Sequence, residues 1–555
     1  MTPRALSLRI LSLIAAASFS APAAAAPDGT VMVEMRDAVK LATDFYVPTG
    51  AGPFPAVLVR TPYGKSAMES IGDGLRGVGI ATIVQDLRGR FASEGTDCVF
   101  RCDGDGDLKD GYDTMAWLAT LPAFDGHLVT WGGSALGIVQ YMAASSTPPA
   151  LDAMWVAVGT PSVYEHAFYQ GGAFRKELME NWLQGQGSSF FLQEVKDHPA
   201  GDPFWNAVQT APDFADVKVP AVHEGGWYDI FSQGTIDAFV GYQHQGGEGA
   251  KGKQKLILGP WTHGGMRGTH QGQLDYPAQA ADPPQKFEDL LSLWLTHHLG
   301  MSPNQAAIDA IPPVIYYVMG DVTDAAAPGN VWRTANDWPI PASASRWYLH
   351  PGNSLGPTCP STGAKFVEYT YDPANPCPTL GGANLTIPAG PMDQTPVEQR
   401  PDVTVWSSPL LSQPVEVTGR IRAHLFVSID TPDTDLHVRL TDVYPDQRSM
   451  LVLDGALRLA ARGGFASEVP MVPGQIVEAV VDLWSTSIVF NKGHRIRLSV
   501  TSSNTPRFFP NPNDGTRYGQ SSVPQPVHVK IHHSAEYPSY VELPDPSMGP
   551  VETCG

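Results

Sequence analysis

Between residues 30 and 300 the chain alternates short apolar, β-branched runs with longer stretches of helical periodicity. The runs are Ala56–Arg60, Ile80–Gln85, Leu128–Trp131, Met154–Val158, Ala221–Glu224 and Lys255–Leu258. Most lack the in-out alternation of a half-exposed strand, the pattern of strands buried on both faces. Asp107–Leu118 and Ile236–Tyr242 read as helices between them. Such alternation predicts a mostly parallel sheet with helices on both sides. Gln285–Leu299 predicts a closing helix, with Phe287, Leu290, Leu291, Trp294 and Leu295 on one face and Gly300 as its stop. Residues 160–215 break the alternation: Phe168–Leu183 mixes aromatics with charge, and Ser188–Val195 adds another helix. We read them as a helical cap over the sheet edge that shapes a pocket; the bland alternative is a surface helix pair.

From about Trp338 the period changes to two, in Arg420–Ser428, Leu436–Val443 and His494–Thr501, with Pro, Asp, Asn and Gly clustered between runs. This predicts an all-β domain, a two-sheet jelly roll. Pro303–Pro339 reads as the junction. The expected plan is a leader at 1–26, a catalytic α/β domain at 27–335 with its cap at about 160–215, and a β-sandwich at 336–555. A chain of 555 residues exceeds the roughly 250–300 that one core supports.

The leader reads as a cleaved export signal. Arg4 and Arg9 precede the apolar core Ile10–Ala17, which is too short to span a bilayer, and Ala24 and Ala26 form an Ala-x-Ala site before Pro27. A secreted or periplasmic protein is expected. The formal net charge is −20, which argues against nucleic acid and anionic membrane as partners. The five cysteines are Cys98, Cys102, Cys359, Cys377 and Cys554. In an oxidising compartment Cys98–Cys102 and Cys359–Cys377 are expected bridges, with Cys554 left over.

The chemistry starts at Leu128–Gly137. A β-branched and aromatic run enters Gly132-Gly133-Ser134, and an apolar helical stretch follows. A serine at so sharp a strand-to-helix corner stands clear of the backbone with its Oγ exposed. The usual spacing is Gly-x-Ser-x-Gly; here Gly132 and Ser134 fit, but the trailing glycine is Gly137, one place late. An ordinary turn is the bland reading. A serine nucleophile needs a base, a partner to orient that base, and donors for the developing oxyanion. In this fold the chain order is Ser, then Asp or Glu, then His, each just past a strand. Pro220–Glu224 leads to Asp229, and Lys255–Leu258 leads to His263. No cofactor and no metal is expected.

These residues resemble the family of secreted serine hydrolases grouped with cocaine esterase, α-amino-acid ester hydrolase and X-Pro dipeptidyl-peptidase. The resemblance rests on Arg60–Lys65, Gln85–Arg90 with Ser93-Glu94-Gly95, Asp110–Asp113, the Ser134 corner, Gly225–Asp229 and Gly259–His263. Asp433–Val443 and Asn491–Thr501 extend it to the C-terminal half. It implies an α/β-hydrolase domain with Ser134 as nucleophile, His263 as base and Asp229 as its orienting acid. It also implies an oxyanion hole built from the Tyr63 hydroxyl and the Ala135 backbone N–H. The chain departs from the pattern at Ala135, where relatives commonly carry an aromatic; a wider acyl site is expected. The implied activity is acyl transfer to water, from esters first and from amides or X-Pro peptides as alternatives. A catalytically silent carbohydrate-binding or polymer-binding protein is the reading from another class.

Three further features receive no catalytic role. Asp86 and Arg88 read as loop-fixing ion-pair residues that support the Tyr63 region. Asp103, Asp105 and Asp107 alternate like a calcium loop, but Leu108 and Thr114 occupy the positions where that loop needs Gly and Glu. A solvated acidic turn capping the next helix is expected instead. Glu224 either approaches the pocket or faces solvent, and solvent is the expectation.

Overall fold

The computed structural model describes residues 26–546 except Asp105, Thr362 and Ala364. The expected export signal lies, but for Ala26, outside the described residues. Ten strands of the described residues form one sheet. They are β1 (Gly29–Glu34), β2 (Lys40–Tyr46), β3 (Phe54–Thr61), β4 (Ala81–Asp86), β5 (Phe124–Gly133), β6 (Leu151–Ala157), β7 (Ala221–Tyr228), β8 (Lys255–Thr262), β9 (Val314–Val318) and β10 (Val331–Ala335). Their spatial order is β1-β2-β4-β3-β5-β6-β7-β8-β9-β10. The run from β4 to β9 is parallel. Antiparallel β1 and β2 flank it on one side and β10 on the other.

Every residue of β7 and β8 is buried, which explains their composition. Their polar side chains find internal partners: His223 Nδ1 lies 2.7 Å from the Tyr141 hydroxyl, and Lys255 Nζ donates to the Ile311 carbonyl at 2.5 Å. Both strands run about four residues beyond their apolar sequence runs, to Tyr228 and Thr262. Asp229 and His263 are therefore the first residues past the two strand ends.

The closing helix spans Phe287–His298. Its Phe287 and Trp294 meet Trp155 of β6 edge-on, at 5.0 and 6.5 Å between ring centroids. Gly300 ends the turn at φ +66°, its N–H on the His297 carbonyl. Truncating the fully enclosed Leu295 to Ala costs about 2–5 kcal/mol.

The stretch 303–339, read as the junction, carries β9, whose Val314–Val318 is buried throughout, and β10. After it, eleven strands between Ser343 and Asp545 make the all-β half. Ten of them follow one another in a single hydrogen-bonded path, and Val477–Phe490 branches from it. The join is the 15-residue strand Val415–Ile429, which pairs with Val477–Phe490, Val527–His532 and Tyr540–Asp545. Its Val417, Ile421, Ala423, Leu425, Val427 and Ile429 are buried, the period-two face that the sequence announces. The halves share one apolar core, in which Trp227, Tyr228 and Val314 join Val417 and Leu453. The Tyr228 hydroxyl also donates to the Leu451 carbonyl at 3.1 Å.

Two expectations fail here. Cys98 and Cys102 are bridged, but Cys377 is a buried free thiol while Cys359 is disulfide-bonded elsewhere. Nearness in sequence misled: Cys377 belongs to a packed cluster with Val397 and Val403. Cys554 lies outside the described residues. Asp103, expected in solvent, is buried and ion-paired with Arg60 of β3. Burial raises its carboxyl to about 6. The helix that follows starts at Asp110 rather than Asp107.

Candidate active site

The corner at Ser134 has φ 59° and ψ −126°, a strained conformation that a serine adopts only when its surroundings enforce it. Its N–H donates to the Ala157 carbonyl at 3.0 Å, and its own carbonyl accepts from Gly137 and Ile138 at 2.8 and 2.9 Å. The displaced glycine also has an explanation. A Cβ on Gly132 (φ +151°) would stand 2.6 Å from Leu136 Cβ, so the crossing of positions 132 and 136 holds one side chain, and here Leu136 supplies it. Gly137 is needed for a different contact: a Cβ there would lie 3.0 Å from the Ala157 carbonyl and from Val156.

His263 Nε2 lies 2.9 Å from Ser134 Oγ, and His263 Nδ1 lies 2.5 Å from Asp229 Oδ2. Asp229 is fully buried. Its other oxygen accepts the Phe231 N–H at 2.7 Å, which fixes the carboxylate plane. A carboxylate facing Nδ1 keeps the proton there and turns the Nε2 lone pair toward the serine hydroxyl. Phe231 stands edge-on to the imidazole, 5.7 Å between centroids. The three residues read from strand ends thus meet in one hydrogen-bonded line.

Tyr63 follows β3, its N–H on Thr61 Oγ1 at 3.0 Å. Burial raises its phenol pKa; hydrogen bonds to Trp182 and Ser134 oppose the rise. It stays a neutral donor. The Trp182 indole N–H donates to the Tyr63 oxygen at 3.1 Å, which leaves the phenol proton to be directed elsewhere. Ala135 opens the helix Ala135–Ala144, and a first-turn N–H has no acceptor within its helix.

Beside Ser134 lies an apolar cavity with about 320 Å³ of empty space, counting its open mouth. Leu178, Met179 and Trp182 of the cap line it with Ile138, Ile230, Phe231 and Leu385. The cap helix Lys176–Gln186 therefore serves the site. Ala135 contributes only a methyl, and Phe100 brings an aromatic ring to the same cavity. Neither Phe100 nor Trp182 stands out in the sequence, although Trp182 falls in the stretch where aromatics mix with charge.

Glu224 corrects the solvent expectation. It is fully buried, and both its oxygens accept from Arg267 at 2.9 Å; one also takes the Trp155 indole N–H at 3.2 Å. Arg267 sits four residues past His263 in the same loop. Asp86 and Arg88 do not pair with each other. Asp86 accepts the Lys65 N–H at 2.7 Å, just after Tyr63, while Arg88 forks onto Asp110 and Asp37.

Two family models match the chain. The X-Pro dipeptidyl-peptidase (S15 family) model covers residues 37–189 and 180–265, and that of the X-Pro dipeptidyl-peptidase C-terminal non-catalytic domain covers 306–542. Cocaine esterase from Rhodococcus sp. (strain MB1 Bresler) is 31% identical over 585 residues, 93% of this chain and 97% of the relative. The chain belongs to the X-Pro dipeptidyl-peptidase (S15) family, with cocaine esterase among its relatives. It is a serine hydrolase. An aminopeptidase from the marine sediment archaeon Thaumarchaeota archaeon shares the fold with TM-score 0.80 at 25% identity, over 95% of this chain and 99% of that one. An α-amino acid ester hydrolase follows at TM-score 0.79 and 24% identity, over 95% and 98%. Both architectures expected from the sequence, the α/β-hydrolase half and the all-β half, are thereby those of the family.

Proposed function

We propose that this S15-family hydrolase cleaves carboxylic esters with an apolar, uncharged acyl group through an acyl-enzyme on Ser134. The observation that carries the reading is the line Ser134 Oγ–His263–Asp229, at 2.9 and 2.5 Å. His263 Nε2 takes the serine proton as Oγ attacks the ester carbonyl. The carbonyl oxygen gains charge and is met by the Tyr63 hydroxyl and the Ala135 N–H. His263 then hands the proton to the leaving alcohol. A water molecule repeats the sequence on the acyl-enzyme and frees the acid.

The cavity lining supports esters over X-Pro peptides. A dipeptidyl-peptidase must anchor the substrate's free ammonium, and a cation without an anionic or polar partner is costly in an apolar cavity. Among the described residues the cavity beside Ser134 is lined by apolar side chains apart from Ser134 itself. The Cys98–Cys102 bridge supports export, because disulfides persist in oxidising compartments.

A panel of p-nitrophenyl esters and X-Pro anilides tests the reading. Expected are turnover of acetyl to butyryl and benzoyl esters, little turnover of X-Pro anilides, and loss of both in a folded Ser134→Ala variant. Faster cleavage of X-Pro anilides than of any ester overturns the substrate assignment. Undiminished turnover by Ser134→Ala overturns the mechanism.

A further inference from the structure

We propose that the small loop closed by Cys98–Cys102 is a positioning element for the oxyanion donor, acting through Phe100 and Trp182, and that it sets the width of the acyl cavity. The inference rests on the acyl-enzyme reading above.

The chain of contacts is short. The bridge joins cysteines four positions apart and encloses Val99, Phe100 and Arg101, the first two left-handed at φ +46° and +70°. Neither residue type favours that region, least of all β-branched valine. The loop is fastened at both ends. Before it, Asp97 accepts the Val99 N–H at 3.0 Å and Ser188 Oγ of the cap at 2.6 Å. After it, buried Asp103 pairs with Arg60 of β3. So held, Phe100 stacks on Trp182, 5.4 Å between centroids and 19° between planes. Trp182 in turn gives its indole N–H to the Tyr63 hydroxyl oxygen at 3.1 Å.

A second strut reaches the same tyrosine. Arg90 Nε donates to the carbonyl of Pro62, next to Tyr63, while Arg90 Nη1 donates to Asp97 and Ser188, each bond at 3.1–3.2 Å. One loop thus bears on Tyr63 from its hydroxyl and from its backbone. Phe100 and Trp182 also wall the acyl cavity, so a displaced loop alters both transition-state stabilisation and acyl fit. Phe100 and Trp182 are positioning residues and take no part in bond making.

Three variants test this on p-nitrophenyl esters of increasing acyl length. Trp182→Phe keeps a ring but removes the N–H; kcat falls roughly tenfold with KM within about twofold, a fraction of the 10²–10³ that losing a whole oxyanion donor brings. Cys98→Ala/Cys102→Ala lowers kcat similarly and shifts the preferred acyl chain to a longer one. Phe100→Leu, with the bridge intact, reproduces the shift in chain length should the double variant fold poorly. Because bridge and indole act in series, combining Cys98→Ala/Cys102→Ala with Trp182→Phe gives less than the product of the separate losses. Unchanged kcat and chain-length profile in the double variant, or in Phe100→Leu if the double variant does not fold, overturns the proposal, as does full multiplicativity. Ser134→Ala separates the two levels: if it abolishes turnover while the loop variants do nothing, only the loop proposal falls.

Discussion

Glu224 and Arg267 form a two-point clasp between the strand that leads to Asp229 and the loop that follows His263, with both contacts at 2.9 Å. Glu224 has no exposed surface. Removing the cation leaves a carboxylate stranded in the sheet, a loss of roughly 3–5 kcal/mol for a broken buried pair. Arg267→Met is expected to lower stability by that order and to reduce kcat, because the loop that carries His263 loses its anchor. Urea unfolding and ester kinetics on the same preparation check it; a variant as stable as the parent contradicts the clasp.

The clasp also marks the boundary of what the sequence makes legible. The order Ser134, Asp229, His263 could be read because each residue follows an apolar run, and strand ends in a parallel sheet point to one edge. Glu224 could not be read in the same way. In a strand buried on both faces there is no alternation to say where a carboxylate points, and its partner is 43 residues away. Phe100 was hidden for a related reason: its place in the cavity depends on a left-handed backbone that neither it nor Val99 signals. The edge strands β1 and β10 are mostly exposed and lack the long apolar runs of the central ones. Cys377 was misassigned because a neighbouring cysteine in sequence is not a neighbour in space.

The crossing at positions 132 and 136 makes a sharp prediction. Gly132→Ala places a methyl 2.6 Å from Leu136 Cβ at a positive φ. We expect a loss of roughly 2–3 kcal/mol from overpacking and backbone strain, with activity falling more than stability because Ser134 is displaced. Normal kcat in a folded Gly132→Ala contradicts this description of the corner.

Asp435 predicts a pH dependence of stability in the all-β half. Burial first, and Asp433 beside it, raise its carboxyl to about 7. Below that value and above the unfolded pKa, the folded state holds a proton that the unfolded chain has released. This group's contribution to stability is therefore greatest at acid pH and is lost as pH rises through about 7. Asp435→Asn stays neutral and keeps a polar partner for Asn511, which donates to Asp435 at 2.7 Å. Its Tm relative to the parent is expected to be higher at pH 8.5 than at pH 5.5. Equal differences at both pH values contradict the shift.

The proposed export predicts a defined mature end. N-terminal sequencing of protein recovered outside the cytoplasm is expected to begin at Pro27. Intact Met1 in an exported fraction contradicts the Ala24-x-Ala26 cleavage site.

The most direct measurement is covalent trapping with a fluorophosphonate, followed by peptide mass mapping. Modification is predicted at Ser134 alone, in one-to-one stoichiometry, absent in Ser134→Ala and strongly slowed in His263→Ala. A folded, active preparation that takes no label at Ser134, or takes it equally fast without His263, contradicts the acyl-enzyme assignment.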